Sequence, residues 1–245
     1  MNRLICGDII DLCGKIDKKF DCCIADPPDN LGLKYKNYKD NLSEKEYIKK
    51  LESWIYACGT LSNICWMSFN ARYVFKVGVI LESQLFQEYE ARLFIQHFTF
   101  GQNNRNDCGN GYRPILRLKH KDAKLYPDTI KVPSWRQLNG DSRAAEGGKV
   151  PLDSWTDFPR VTGNSKQRRE WHPTQLHEGL IQRMVNLSCP VNGTVLDAFS
   201  GTGTVLRAIK DRYITSVELD EYYCKQIALE HGLNIEYGTR IRKLK

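Results

Sequence analysis

Asp197-Ala198-Phe199-Ser200-Gly201-Thr202-Gly203-Thr204 joins a short apolar run, Thr194 to Leu196, to a helical pattern that begins at Thr204. Apolar run, glycine turn and helix start, in that order, spell a strand–turn–helix unit. Glycines let the backbone turn tightly and approach a ligand, while the first turn of the helix presents N–H groups with no partner inside the helix. Glu218 stands 21 residues after Asp197, at the end of the next strand pattern, Ile214 to Val217. An acid about 20 residues beyond such a loop, at a strand end, is placed to accept the hydroxyls of a ribose. The turn lacks the third glycine of a dinucleotide fingerprint and the Gly-Lys-Ser/Thr of a P-loop, so a pyrophosphate is not specifically accommodated. A nucleoside cofactor without phosphates points to S-adenosylmethionine. An ordinary strand–turn–helix carries the same glycines, and it is the acid at the second strand end that separates the two readings.

Outward from this loop the chain alternates strand and helix patterns. His177 to Leu187 reads as a helix ending before Pro190, and Glu221 to Glu230 as another, closed by Gly232. Near the start, Leu4-Ile5-Cys6 leads to Gly7-Asp8, and the apolar run Phe20 to Ala25 ends at Asp26-Pro27-Pro28. Ser43 and Glu46 form a capping box before Tyr47, Ile48, Leu51, Trp54, Ile55 and Cys58 at helical spacing. Core packing explains Trp54 and Ile55 more simply than a homodimer interface, although a homodimer stays open. Ile64 to Phe69 reads as a strand, Val74 to Leu81 as a helix and Leu93 to Phe100 as a strand. Such alternation predicts an α/β fold, with a mainly parallel sheet and helices on both faces. The pattern breaks after Gly101. Gln102 to Gly148 is rich in Asn, Gly, Pro, Lys and Arg, with only Ile115-Leu116 and Ile130-Lys131-Val132 as short strand candidates. A stretch this irregular inside a compact domain reads as an insertion. The expected organisation is therefore 1–101, an inserted region at 102–168, and 169–245.

Composition fits one domain with an appendage: 245 residues, 41% hydrophobic and 27% charged. No apolar run approaches the ~20 residues that cross a bilayer, and Asp8 and Asp11 interrupt any signal-peptide core at the start. The nine cysteines are odd in number and scattered, two of them adjacent as Cys22-Cys23, with no C-x-x-C. They read as reduced thiols filling the core of a cytoplasmic protein, and no metal site is implied. The net charge of +7 is concentrated, because residues 101–170 hold 14 Lys/Arg against 8 Asp/Glu. Tyr112, Tyr126, Trp135, Trp155 and Phe158 lie in the same segment. Cations interleaved with aromatics suit a polyanion with stackable bases, and a solvated loop region is the alternative.

Asp26-Pro27-Pro28-Asp29 follows a buried strand, where the ligand crevices of α/β sheets form. Each proline disfavours the helical region for the residue before it, so the segment is stiff and extended. The Asp26 carboxylate and the Pro27 carbonyl then stand as two fixed acceptors, matching the two N–H donors of an exocyclic amine. An ordinary Asp-Pro turn is the plainer alternative.

Together these segments resemble the amino-directed DNA methyltransferases that use S-adenosylmethionine, in their permuted β-type order. In that family the Asp-Pro-Pro-aromatic motif comes first, then a target-recognition region, then His-Pro-Thr-Gln, and last the cofactor loop. Here the order is Asp26-Pro27-Pro28-Asp29, residues 102–168, His172-Pro173-Thr174-Gln175 and Phe199-Ser200-Gly201-Thr202-Gly203. The resemblance implies a Rossmann-like methyltransferase fold and no metal. It implies that Asp26 and Pro27, with Pro28 and Asp29 completing the motif, bind the target amine. Asp197, Phe199, Ser200, Gly201, Thr202, Gly203 and Thr204 would cradle the cofactor and Glu218 its ribose. Asp8 would lie near its adenine, and Thr174 and Gln175 would close the pocket.

Two departures stand out. The family carries an aromatic where this chain has Asp29, and it continues His-Pro-Thr-Gln with Lys-Pro where this chain has Leu176-His177. Tyr35, Trp66 and Trp171 are candidates to supply the missing base-stacking ring, and repulsion between Asp29 and Asp26 is expected to raise one carboxylate pKa. The implied reaction is methyl transfer to N6 of a flipped adenine in double-stranded DNA. Alternatives are N4 of cytosine, an RNA amine, or an inactive DNA-binding relative. Arg168-Arg169 are candidate phosphate contacts, and Asn103-Asn104-Arg105-Asn106 has chemistry suited to base edges.

Overall fold

The computed structural model describes residues 1–16, 19–83, 86–98 and 105–238. The first half runs β1 (Arg3–Cys6), α1 (Ile9–Cys13), β2 (Phe20–Ala25), α2 (Glu44–Leu61), β3 (Ser62–Ser68), α3 (Val74–Leu81), β4 (Tyr89–His97) and β5 (Tyr112–His120). It continues through α4 (Trp135–Leu138), β6 (Ser154–Trp155), α5 (Glu178–Ser188), β7 (Thr194–Asp197), α6 (Thr204–Ala208), β8 (Tyr213–Glu218), α7 (Glu221–His231) and β9 (Ile235–Tyr237). Among the described residues the strands form one sheet in the order β6-β4-β5-β3-β2-β7-β8-β1-β9. All its pairings are parallel except β3 with β5 and β4 with β5.

The apolar runs that mark β2, β3 and β7 are buried on both faces, as parallel strands between helical layers require. One layer packs Leu51, Trp54 and Ile55 of α2 with Ile9 and Leu12 of α1. The other packs Leu180, Ile181 and Met184 of α5 with Leu206 and Ile227. The Ser43–Glu46 capping box forms as its spacing predicts. Gly232 takes the left-handed conformation that ends α7, at φ +64°. Trp54 and Ile55 are buried in this core, so neither forms a dimer surface. The nine cysteines are free and six are buried. Among the described residues no helix is long and apolar enough to cross a membrane.

Within 102–168, the short strand expected at Ile115-Leu116 is longer. Residues 112–120 are β5, a full strand of the main sheet between β3 and β4, so they belong to the scaffold rather than to an insertion. Arg113, Arg117 and Lys119 disguise it, because each breaks the apolar pattern and each finds its charge or ring partners inside the fold. Arg117 stacks 5.6 Å from the centroid of Trp66 and 5.2 Å from that of Phe94. Lys119 Nζ lies 3.0 Å from Glu90 and also donates to backbone carbonyls. Much of the basic excess is thus structural, and Trp155 and Phe158 are core residues, while Trp135 stands exposed. β4 begins at Tyr89 rather than Leu93, its register extended by pairing with His120 of β5. Residues 99 and 100 lie outside the described residues. Ile130 ends a 3-10 turn instead of a strand, and Val132 alone bridges to Lys149.

Candidate active site

β2, β7 and β8 run parallel and adjacent, so their C-terminal ends open at one edge of the sheet. From β2 the chain crosses by α2 to β3 on one side, and from β7 by α6 to β8 on the other. A crevice at such a reversal is where α/β sheets bind ligands. A cleft open to solvent lies there. It is lined by every site residue the sequence singled out except Pro27, Asp29 and Gly203.

The glycine loop is held by its neighbours. Ala198 N–H donates to the Ile24 carbonyl at 2.9 Å and Ser200 N–H to that of Val217 at 2.9 Å. Gly201 and Gly203 sit at φ +51° and +71°, a region costly for other L-residues. Glu218 Oε2 accepts the Gly201 N–H at 2.8 Å and Oε1 the Asp220 N–H at 2.9 Å. Each carboxylate oxygen keeps a second lone pair for a hydroxyl donor in the cleft. Burial raises the Glu218 carboxyl to a pKa of about 7. Burial also raises Asp197 to about 7, and its Oδ2 accepts from Ser200 at 2.9 Å and Ser216 at 3.2 Å. Asp197 therefore braces the loop. The Thr202 and Thr204 hydroxyls likewise point at each other, 2.8 Å apart, and both accept from Arg207. Arg207 was not legible as a site residue, because its partners lie in the loop and at Glu178, 3.1 Å away.

A Cβ on Gly201 would stand 3.1 Å from His172 Cε1. Gly201→Ala thus combines a crowded contact with a left-handed backbone, a cost of about 1–2 kcal/mol. We expect it to lower the melting temperature by about 2–8 °C in a calorimetric scan. A shift below ~1 °C would mean that the turn relaxes without strain.

The wall opposite the loop comes from 30–42 and 171–177. His172 is buried against Tyr35 and Tyr223. Its Nδ1 lies 2.7 Å from the Thr174 carbonyl, which can only accept, so that nitrogen carries the proton. Burial lowers the His172 pKa to about 4, leaving the ring neutral near pH 7. Gln175 is occupied in bracing, accepting from Arg169 N–H at 3.0 Å and donating to the Gln167 carbonyl at 2.6 Å. Asp220, missed in the sequence, caps α7 and accepts the Asn37 N–H at 2.9 Å, tying the 30–42 loop across the cleft. Asp40 gathers the N–H groups of Asn30, Leu31 and Leu33 in the same loop. Asp8 caps α1 at the cleft wall, and Trp54 meets Phe199 edge-on at 5.4 Å.

Asp26 follows β2, facing the loop across the cleft. Its Oδ1 accepts from Ser68 Oγ and from Arg113 Nη2, the latter at 2.7 Å. Asp29 is only 7% exposed and pairs with Arg113 Nη1 at 2.6 Å, so it does not face solvent. The Asp26 carboxyl is raised chiefly by burial. Arg113 opposes the shift, and the expected repulsion from Asp29 is the smaller contribution. Of the three candidate rings, Tyr35 lines the cleft. Trp66 is buried in the core with Nε1 donating to Ser188 at 2.7 Å, and Trp171 packs on Tyr223. Arg169 pairs with Glu230, and Arg168 donates to the Pro173 carbonyl at 3.3 Å. Asn103 and Asn104 lie outside the described residues, and Arg105 is exposed.

Residues 20–229 match the family described as DNA methylase, of N6/N4 type. The chain is 30% identical over 215 residues to the type II methyltransferase M.HpaI of Haemophilus parainfluenzae, covering 83% of this chain and 65% of that protein. It is 28% identical over 250 residues to the DNA adenine methyltransferase YhdJ of Escherichia coli K12, covering 91% and 80%. Among solved structures, the M1.HpyAVI–SAM complex superposes with a TM-score of 0.66 at 18% identity, covering 95% of this chain and all of that one. The cytosine-N4-specific PvuII DNA methyltransferase does so at 0.69 and 14%, covering 98% and 88%. A family match across most of the chain, on a sheet edge that brings the Asp-Pro-Pro motif to the glycine loop, places this protein in the N6/N4 DNA methylase family.

Proposed function

We propose that this chain is an S-adenosylmethionine-dependent DNA methyltransferase that methylates N6 of adenine flipped from a duplex, acting in the cytoplasm. The observation that supports this most strongly is that Asp26 and the Glu218-anchored glycine loop face one cleft. S-adenosylmethionine supplies an electrophilic methyl when bound. Glu218 has lone pairs for the ribose hydroxyls, and the left-handed turn at Gly201 and Gly203 clears space for the amino-acid portion. Leu219 and Asp8 line the adjoining wall. An aspartate before the two prolines, where cytosine-directed members often carry serine, favours adenine, as does the similarity to YhdJ.

An exocyclic amine is a weak nucleophile because its lone pair is delocalised into the ring. Asp26 Oδ2 and the Pro27 carbonyl accept its two N–H bonds, favour a pyramidal nitrogen and aim its lone pair outward. The carboxylate then stabilises the positive charge that develops on nitrogen as it takes the methyl from the sulfonium, whose sulfur would leave as a neutral thioether, and the surplus N–H proton passes to solvent. The target atom is inaccessible in the stack, so the base must be extruded.

Asp26 must be ionised to stabilise the positive charge that develops on the amine nitrogen. Burial raises its pKa, Asp29 adds to the rise, and Arg113 and the Ser68 hydroxyl oppose it, and the net effect is an upward shift. Turnover is therefore lost as pH falls through a value above the ordinary carboxylate range of about 4. A pH–rate profile checks this, and an acid limb at or below the ordinary value would contradict it. Nucleoside mass spectrometry of duplex DNA treated with enzyme and cofactor tests the base. N6-methyldeoxyadenosine is expected, whereas N4-methyldeoxycytidine would assign the chain to cytosine.

A further inference from the structure

Asp29 occupies the position where the family's ring stands, yet it is turned into the protein and fully engaged. Arg113, from the start of β5, makes a two-pronged pair with it: Nη1 to Oδ2 at 2.6 Å and Nη2 to Oδ1 at 3.2 Å. The same Nη2 reaches Asp26 Oδ1 at 2.7 Å. Arg113 Nε is buried and has no hydrogen-bond partner among the described residues. The surrounding backbone is fastened as well, with Tyr47 donating to the Pro28 carbonyl at 2.8 Å and Arg72 to that of Asn30 at 2.7 Å.

We infer that Arg113, held by Asp29, is the positioning residue for the Asp26 carboxylate, and that position 29 in this chain is an arginine holder rather than a stacking site. The inference rests on the methyl-transfer reading. Two donors on Oδ1 fix the rotation of the carboxylate and leave Oδ2 for the target amine. A planar guanidinium can meet both carboxylates at once, which a lysine ammonium does less well. Charge explains why both partners are needed. Arg113 paired with Asp26 alone would cancel the negative charge that stabilises the methylated nitrogen. Asp29 restores it, since two carboxylates and one guanidinium leave a net charge of −1.

The test is a double-mutant cycle in steady-state methyl transfer to duplex DNA. Arg113→Gln and Asp29→Asn should each lower kcat about 10–100-fold, with the KM for S-adenosylmethionine within about twofold, and Arg113→Lys should recover part of the loss. The double variant again leaves one negative charge, so it should be no slower than the slower single variant. Asp29→Tyr should also lower kcat, because it removes the holder of Arg113. A substrate-free readout accompanies these: the 13C carboxyl resonance of Asp26 should titrate at higher pH in Arg113→Gln than in wild type. Additive losses, a faster Asp29→Tyr enzyme or an unchanged Asp26 titration would each overturn the inference. A wild-type enzyme that transfers no methyl, with the Asp26 titration shifting as stated, would instead overturn the methyl-transfer reading and leave the Arg113–Asp26 contact standing.

Discussion

Asp26→Ala should lower methyl transfer to DNA by about 10²–10³-fold or more, while S-adenosylmethionine affinity stays within about threefold. The size follows from what is removed: the acceptor for one amine N–H and the charge facing the developing cation. The selectivity follows from placement. Asp26 extends from β2, whereas the groups assigned to the cofactor's ribose and amino-acid portion come from β8 and the loop between β7 and α6. Arg113 and Ser68 lose one partner in the variant, but Asp29 still holds Arg113, so the fold should persist. Single-turnover transfer of labelled methyl, beside calorimetric cofactor binding, separates the two effects. Retained transfer would refute the role given to Asp26, and loss of cofactor binding would show that the cleft is not divided as described.

Glu218→Ala is the second large effect, and it acts on the opposite side. The carboxylate is assigned the ribose hydroxyls, and a hydrogen bond to a charged group is worth about 1.5–3 kcal/mol. Two such bonds, partly replaced by water, amount to about 3 kcal/mol, so the cofactor Kd should rise about 100-fold. The variant also strips the acceptor from the Gly201 and Asp220 N–H groups, which loosens the turn and the start of α7. Glu218→Gln keeps an acceptor and the shape of the side chain, so it should lose less. Titration calorimetry with S-adenosylhomocysteine measures both. A Glu218→Ala affinity within about threefold of wild type would remove the ribose from Glu218.

Much of this site was legible because each part ends a readable element. The apolar run Phe20–Ala25 delivers Asp26 to the sheet edge, and Thr194–Leu196 does the same for the glycine loop. Glu218 closes β8. Helix signals read equally well where capping is local, as at Ser43 with Glu46. What escaped depends on partners distant in the chain. β5 carries three cations whose compensation comes from Asp29, Trp66, Phe94 and Glu90, so no local pattern marks it as a sheet strand. The same long-range pairing hid the role of Asp29, whose guanidinium partner lies 84 residues on. Asp220 reads locally as a helix cap, and only the folded chain brings Asn37 to it.

The assignment of the cleft is tested most directly by the structure of the enzyme with S-adenosylhomocysteine. That assignment predicts the ribose hydroxyls on Glu218, the amino-acid portion against the backbone of Ser200 to Gly203, and the sulfur facing the Asp26 carboxylate across the cleft. A ligand seated with its ribose away from Glu218, or with its sulfur turned from Asp26, would contradict it.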